Sequence, residues 1–367
     1  MPRTTPYPTT TTVPASSRPE IEDLTWVSAT RGWALVHTAR CGSACSEVME
    51  TTDGGATWGP VGWIDAASGP CRADCGDGGG PAVTRIRFAN DLDGYAYDPS
   101  LFVTSDGGET WTEENGPSVA ALEPAGSTVM RIAYTQSGCP GPCDLTVEEA
   151  PAGGTNWNVL SRPFQGDAVQ LVRRGVDDAY VVAFENPAGG ADDEHAKLML
   201  SHDGGASWSA RADPCGDVGG DEYDAAAIAA ASPSVLAVLC RDRVGSQASY
   251  VDLSTDGGGD FTARPALPGP DTAAALAAIS ATDLLVGTVG GMNPQSGRFA
   301  LFSSNDGGAH WQQVAAETGP IDPDNPAQPF LGFETASVGR WIGDPSDLWE
   351  TTDGGNTWFR QTIGLAP

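Results

Sequence analysis

Lysine is almost absent from this chain. Lys197 stands alone, and 19 basic residues face 48 acidic ones, for a formal net charge of −29 over 367 residues. A surface this acidic repels polyanions, which argues against an electrostatic grip on nucleic acid or anionic lipid and makes a cationic partner easier to accommodate. Long apolar runs are missing too, since no stretch approaches the ~18 consecutive apolar residues of a membrane-spanning helix. Histidine is scarce, with His37, His195, His202 and His310 scattered along the chain, a poor basis for zinc or for a histidine-activated nucleophile. Charged residues make up only 18%, while glycine (47) and proline (28) are plentiful, a balance that suits many short strands joined by tight turns.

What the chain does have is self-similarity. A short phrase returns seven times at intervals of about 50 residues, the signature of a repeat architecture. Five copies keep an aspartate, two glycines and a tryptophan in register: Asp53 to Trp58, Asp106 to Trp111, Asp203 to Trp208, Asp306 to Trp311 and Asp353 to Trp358. A sixth ends in phenylalanine (Asp256 to Phe261), and another carries Ala152 in place of the aspartate ahead of Gly153, Gly154 and Trp157. Ahead of each phrase lie two apolar strands, the second often opening glycine-aromatic as in Gly32-Trp33 and Gly94-Tyr95, and a third strand runs into the phrase. A fourth leaves through the tryptophan. The arithmetic predicts an all-β, seven-bladed β-propeller with four antiparallel strands per blade and the phrase in the hairpin between strands three and four. Aspartate accepts bonds from amides a few residues on, and paired glycines permit positive φ, so each phrase reads as a structural turn. Losing the aspartate at Ala152 should weaken one turn without opening the ring. Four strands can be read in order for every blade without one borrowed from the far end, which leaves two routes to ring closure open, with residues 13–20 able to add to the outside of a blade or not.

Residues 1–20 are Thr/Pro-rich and cannot bury a core; they read as a disordered tether to a propeller over 21–367, with an export signal or lipid anchor expected upstream. Eight cysteines include three Cys-x3-Cys pairs, Cys41/Cys45, Cys71/Cys75 and Cys139/Cys143, leaving Cys215 and Cys240 to join a crossing to the neighbouring part of blade five. Four disulfides are expected, which places the protein in an oxidising, secreted or cell-surface setting.

The phrases resemble the Asp-box, or BNR, repeat, over residues ~21 to ~364. Propellers with this repeat include sialidases, other glycosidases, the sortilin-type receptor ectodomain and the photosystem II assembly-factor family; the combined unit here is most similar to the last. That resemblance implies a non-catalytic binding or scaffolding role.

The phrases share a face with the turns between strands one and two, so a ligand is expected on the opposite face, built by the loops between strands two and three and by the blade-to-blade crossings. Those segments are long and acidic. Trp63, Asp65, Asp77, Glu185, Asp193, Asp217, Glu222, Tyr223 and Arg241 are the candidate binding residues there. The Cys75-Gly-Asp77 and Cys215-Gly-Asp217 segments could add carboxylates for a loop-bound calcium, but no complete calcium loop is present and no cofactor is expected.

An enzyme is the alternative reading. A sialidase-like site needs an arginine cluster and a tyrosine nucleophile; the closest matches are Arg85-Ile86-Arg87-Phe88, Arg131-Ile132-Ala133-Tyr134, and Tyr223 beside Glu222. Other glycoside hydrolases need only two carboxylates at the channel mouth. The favoured expectation is a monomeric, non-catalytic propeller that binds a protein or glycan.

Overall fold

The computed structural model describes residues 20–37, 45–68, 82–135, 143–166, 169–185, 195–211, 214–215, 223–242, 249–268, 272–293, 296–319, 330–344 and 347–361. These form a seven-bladed β-propeller. Seven antiparallel four-stranded sheets follow one another, each with its strands in simple sequence order. Blade one comprises Glu20–Trp26, Gly32–His37, Ser46–Thr51 and Gly59–Ile64, and blade seven Phe330–Phe333, Gly339–Ile342, Leu348–Thr351 and Phe359–Gln361. No helix among the described residues is long and apolar enough to cross a membrane. A short parallel pair, Ala67–Ser68 with Ala82–Val83, lies on the crossing from blade one to blade two.

The core is not one cluster but a ring of seams between adjacent blades. Each seam holds its own group of buried side chains, and each receives one aromatic from a repeated phrase. Trp58 packs between blades seven and one, Trp111 between one and two, Trp157 between two and three, and Trp208 between three and four. Phe261, Trp311 and Trp358 fill the remaining three. A sheet with two apolar faces buries both only when neighbours cover it on either side, so closing the ring is what satisfies the first and last blades. Among the described residues they meet without an exchanged strand: Ile21, Leu24, Met49 and Trp58 pack directly against Ile342 and Leu348.

The repeated phrases sit in the turns between strands three and four, and their chemistry is shared. In blade one, Thr51 Oγ1 donates to Asp53 Oδ1 (2.9 Å) and accepts from Gly55 N (2.9 Å). The same carboxylate accepts from Thr57 N (2.9 Å) and Thr57 Oγ1 (2.6 Å). Gly54 and Gly55 stand at φ +78° and +95°, a region in which a Cβ would clash. Gly54 N also donates to Thr30 O (2.9 Å), tying the phrase to the turn between strands one and two of its own blade.

Blade three departs from this pattern at two positions together. Both the aspartate site (Ala152) and the hydroxyl site two residues before it (Ala150) are alanine, and the hydroxyl and carboxylate that bond each other elsewhere are lost as a pair. Tyr95 of blade two compensates: its hydroxyl accepts from Gly153 N (2.8 Å), while Gly154 N turns back to Pro151 O (2.8 Å).

The glycine-aromatic openings of the second strands have a physical cause. Gly32, Gly94 and Gly339 lie opposite Trp26, Phe88 and Phe333, and a Cβ on any of the three would come within 2.6 Å of those rings. The next residue carries a polar tip to the following blade. Trp33 Nε1 donates to Gly107 O (2.9 Å), and Tyr180 Oη donates to Pro233 O (3.1 Å). In blade seven the position is Arg340, whose Nη2 donates to Gly54 O (3.0 Å) and Ala29 O (3.3 Å) of blade one.

Candidate functional site

The repeated-turn face is chemically occupied. The carboxylates of Asp106, Asp203, Asp256, Asp306 and Asp353 each accept bonds from their own turn, as Asp53 does. Bonds from Thr57, side chain and backbone, lower the Asp53 pKa, and Ser207 and His310 play that part for Asp203 and Asp306, taking each to about 2. Carboxylates held this way are turn elements.

The opposite rim is where the strands carrying most of the candidate binding residues end. Trp63 is part-buried at the end of the fourth strand of blade one, across from Glu47, and Asp65 follows it, exposed. Arg241 is exposed near the end of the second strand of blade five, one residue pair from the start of Tyr223–Ser232, where Tyr223 lies opposite Asp242. Glu185 ends the second strand of blade four. The strand ends therefore bring Tyr223 and Arg241 to one corner of blade five, with Glu185 on the next blade and Trp63 and Asp65 elsewhere around the ring. Asp77, Asp193, Asp217 and Glu222 lie outside the described residues. Among the described residues no group of three His, Cys, Asp or Glu side chains is arranged to hold a metal ion.

Of the cysteines, Cys215 and Cys240 are joined, over a separation of 25 residues. Their position differs from a surface staple, because both are fully buried and pack among Tyr180, Leu198, Leu236 and Tyr250 in the seam between blades four and five. Cys45 is also disulfide-bonded. Cys143 begins the strand Cys143–Pro151, whereas Cys41, Cys71, Cys75 and Cys139 lie outside the described residues.

The arginines that matched a sialidase pattern in sequence are engaged, Arg87 between blades and Arg131 within blade three. Arg87 Nη1 contacts Asp23 Oδ2 of blade one (2.7 Å) and its Nε contacts Glu123 Oε1 of blade three (2.8 Å). Burial opposes the charge on Arg87, but Asp23 and Glu123 outweigh it and raise its pKa well above the usual value. Arg131 is stacked over Trp157 (4.1 Å) and pairs with Glu148 (2.7 Å). Neither presents a free fork to a substrate carboxylate.

No protein-family model matches the chain, and no curated sequence matches it. Its likeness is to solved propellers. YCF48 bound to a D1 peptide superposes with a TM-score of 0.54 at 15% identity, over 95% of both chains. YCF48 from Cyanidioschyzon merolae gives 0.56 at 14% identity, over 96% of this chain and 97% of that one. An ancestral GH74 enzyme gives 0.58 at 12% identity over 95% of this chain but 48% of its own, so this propeller spans about half of it. At such identities the likeness is one of fold, and that fold is found both in a protein solved with a bound peptide and in an enzyme.

One polar cluster was not legible in the sequence. Glu317 on the fourth strand of blade six meets Asp344 and Asp347 from the loop between strands two and three of blade seven, with Arg360 and Trp349. Burial and then a hydrogen bond with Asp347 push Glu317 up to about 7. A raised carboxyl beside a second carboxyl is a pattern found in acid/base pairs. Here, however, the residues are only 7% and 2% exposed, deep between two blades, and Arg360 bridges both. No strand of signal in the sequence joins positions 317 and 347; only the packing of blade six on blade seven does.

Proposed function

We propose that this chain is a non-catalytic binding or scaffolding propeller of the Asp-box type, working outside the cell, whose rim opposite the repeated turns recognises a protein or a glycan. The observation that carries this reading is the commitment of the other face: every aspartate of the repeated phrases is satisfied within its own turn. Two further observations support it. Arg87 is spent on neighbouring blades and Arg131 is buried against Glu148 and Trp157 of its own blade, and the most acid/base-like carboxyl pair, Glu317 with Asp347, is only 7% and 2% exposed. The bonded Cys215–Cys240 pair suits an oxidising compartment. Because YCF48 has been solved holding a D1 peptide, extended peptides are the first partner class to screen, beside glycans.

The experiment is a peptide array, a glycan array and a fluorogenic glycoside panel on the same purified protein. Binding without turnover is expected. Arg241→Ala and Trp63→Ala should weaken it about tenfold or more, on the scale of interface hot spots, while His310→Ala on the repeated-turn face should leave it unchanged. Turnover of any glycoside overturns the reading.

A further inference from the structure

Among the described residues blade seven meets blade one by side-chain contacts, and a buried carboxyl stands at each of its two seams. On the side of blade six, Glu317 faces Asp347, Asp344 and Arg360, and its Oε2 accepts from Trp349 Nε1 (2.9 Å). Glu317 Oε1 lies 3.2 Å from Arg360 Nη2, yet no donor gives it a hydrogen bond. Arg360 Nη2 serves Glu317 and Asp347 together, so its one positive charge faces two buried carboxyls, and a proton on one of them relieves their repulsion. On the side of blade one, Glu334 follows the inner strand of blade seven, 6% exposed, with Arg340 Nη1 3.5 Å from its Oε2. Arg340 itself is 0% exposed, also pairs with Glu350 (3.4 Å), and lies over the Trp26 ring (4.3 Å). Arg340 and Glu350 are the charged groups whose fields reach Glu334.

We propose that both seams of blade seven are proton-locked, so that the propeller is most firmly closed when Glu317 and Glu334 carry protons and the last blade loosens as they ionise. Burial raises both carboxyls to about 7, against an ordinary glutamate value near 4.5 for the opened seam. Arg340 opposes the shift at Glu334 but divides its charge between Glu334 and Glu350, and it also serves two carbonyls of blade one. The sign follows from linkage. A carboxyl whose pKa is higher in the closed form favours closure fully below the open-form value and progressively less as pH rises from about 4.5 to about 7. The seams of blades one to three also hold charge, Arg87 between Asp23 and Glu123, and burial raises Asp98 of blade two, but among the described residues Glu317 and Glu334 are the glutamates that burial raises, so the response centres on blade seven and is read against blade three. Since Asp344 and Asp347 belong to the loop on the rim opposite the repeated turns, the same protons set that loop's position.

The test is amide hydrogen exchange resolved by blade, corrected for intrinsic rates, at about pH 5 and about pH 7.5. Each unit of pKa difference is worth a factor of about ten in the opening constant. Protection in 348–351 and 359–361 should therefore fall at least about tenfold relative to blade three on going to the higher pH. The double variant E317Q/E334Q, whose amides mimic the protonated acids, should keep its protection, and each single variant should remove part of the change. Uniform exchange across the blades in the native protein overturns the proposal, as does a pH response that survives in the double variant.

Discussion

Replacing Arg340 with alanine should be among the most damaging single changes in the molecule. Its guanidinium is fully buried, stacked over Trp26, bonded to Gly54 O and Ala29 O, and placed between Glu334 and Glu350. Removing one member of a buried charged network costs about 3–5 kcal/mol, because the partners stay behind uncompensated. The stacking adds roughly 1–2 kcal/mol, but Glu334 can relieve its charge by taking a proton, which caps the loss. We expect about 4 kcal/mol for Arg340→Ala at neutral pH, where stabilities of 5–15 kcal/mol are usual. At pH 5 the cost should be smaller, since Glu334, raised to about 7, is then already neutral. Arg340→Lys keeps a charge but not the planar fork, and should fall between the two. The assay is urea unfolding followed by the fluorescence of the 11 tryptophans, with the midpoint compared at constant slope. A loss below about 1 kcal/mol at neutral pH, on the scale of an exposed pair, would refute the idea that this network closes blade seven on blade one.

Four other outcomes are expected. Gly32→Ala places a Cβ 2.5 Å from the Trp26 ring and should cost about 1–3 kcal/mol by overpacking, whereas Gly59→Ala, with nothing within 4 Å of the added carbon, should stay within about 0.5 kcal/mol of the native protein in the same urea titration. Replacing Cys215 and Cys240 together by alanine opens a 25-residue cross-link and should cost about 3–4 kcal/mol, read as a lower thermal midpoint under non-reducing conditions. Ala152→Asp should bring no gain in thermal midpoint, because the hydroxyl partner is missing at Ala150 and Asp93 crowds Gly153; a clear rise would show that the aspartate acts alone. In acid, Asp203 and Asp306, held at about 2 by Ser207 and His310, contribute stability above the ordinary aspartate pKa that is lost as pH falls toward 2. Asp203→Asn should shallow that acid limb of a stability-against-pH curve, and an unchanged limb would contradict the assignment.

The propeller was legible because each blade repeats the same local problem and solves it with the same residues. The hairpin between strands three and four must turn through two positive-φ positions, which selects glycine pairs and an aspartate to receive the exposed amides. These are short-range demands, and they leave their mark in adjacent letters. The face that the turns occupy followed from the same repeat, and with it the opposite rim as the place to look for a ligand. Cys215 and Cys240 could be paired by elimination, but their burial among Tyr180 and Leu236 could not be read, since burial depends on the neighbouring blade.

Local chemistry thus determined the strands, the turns, the blade count and the role of the seven phrases, because each of those depends on residues within about 50 positions of one another. The tertiary structure alone decided what happens where blades meet. It placed Tyr95 under the defective third turn, spent Arg87 on neighbouring blades, and set Glu317 against Asp347 and Arg340 against Gly54. Arg340 and Gly54 are 286 residues apart in the chain. No periodicity links such positions; they become neighbours only when the ring closes, and it is closure that buries their charges and gives them their chemistry.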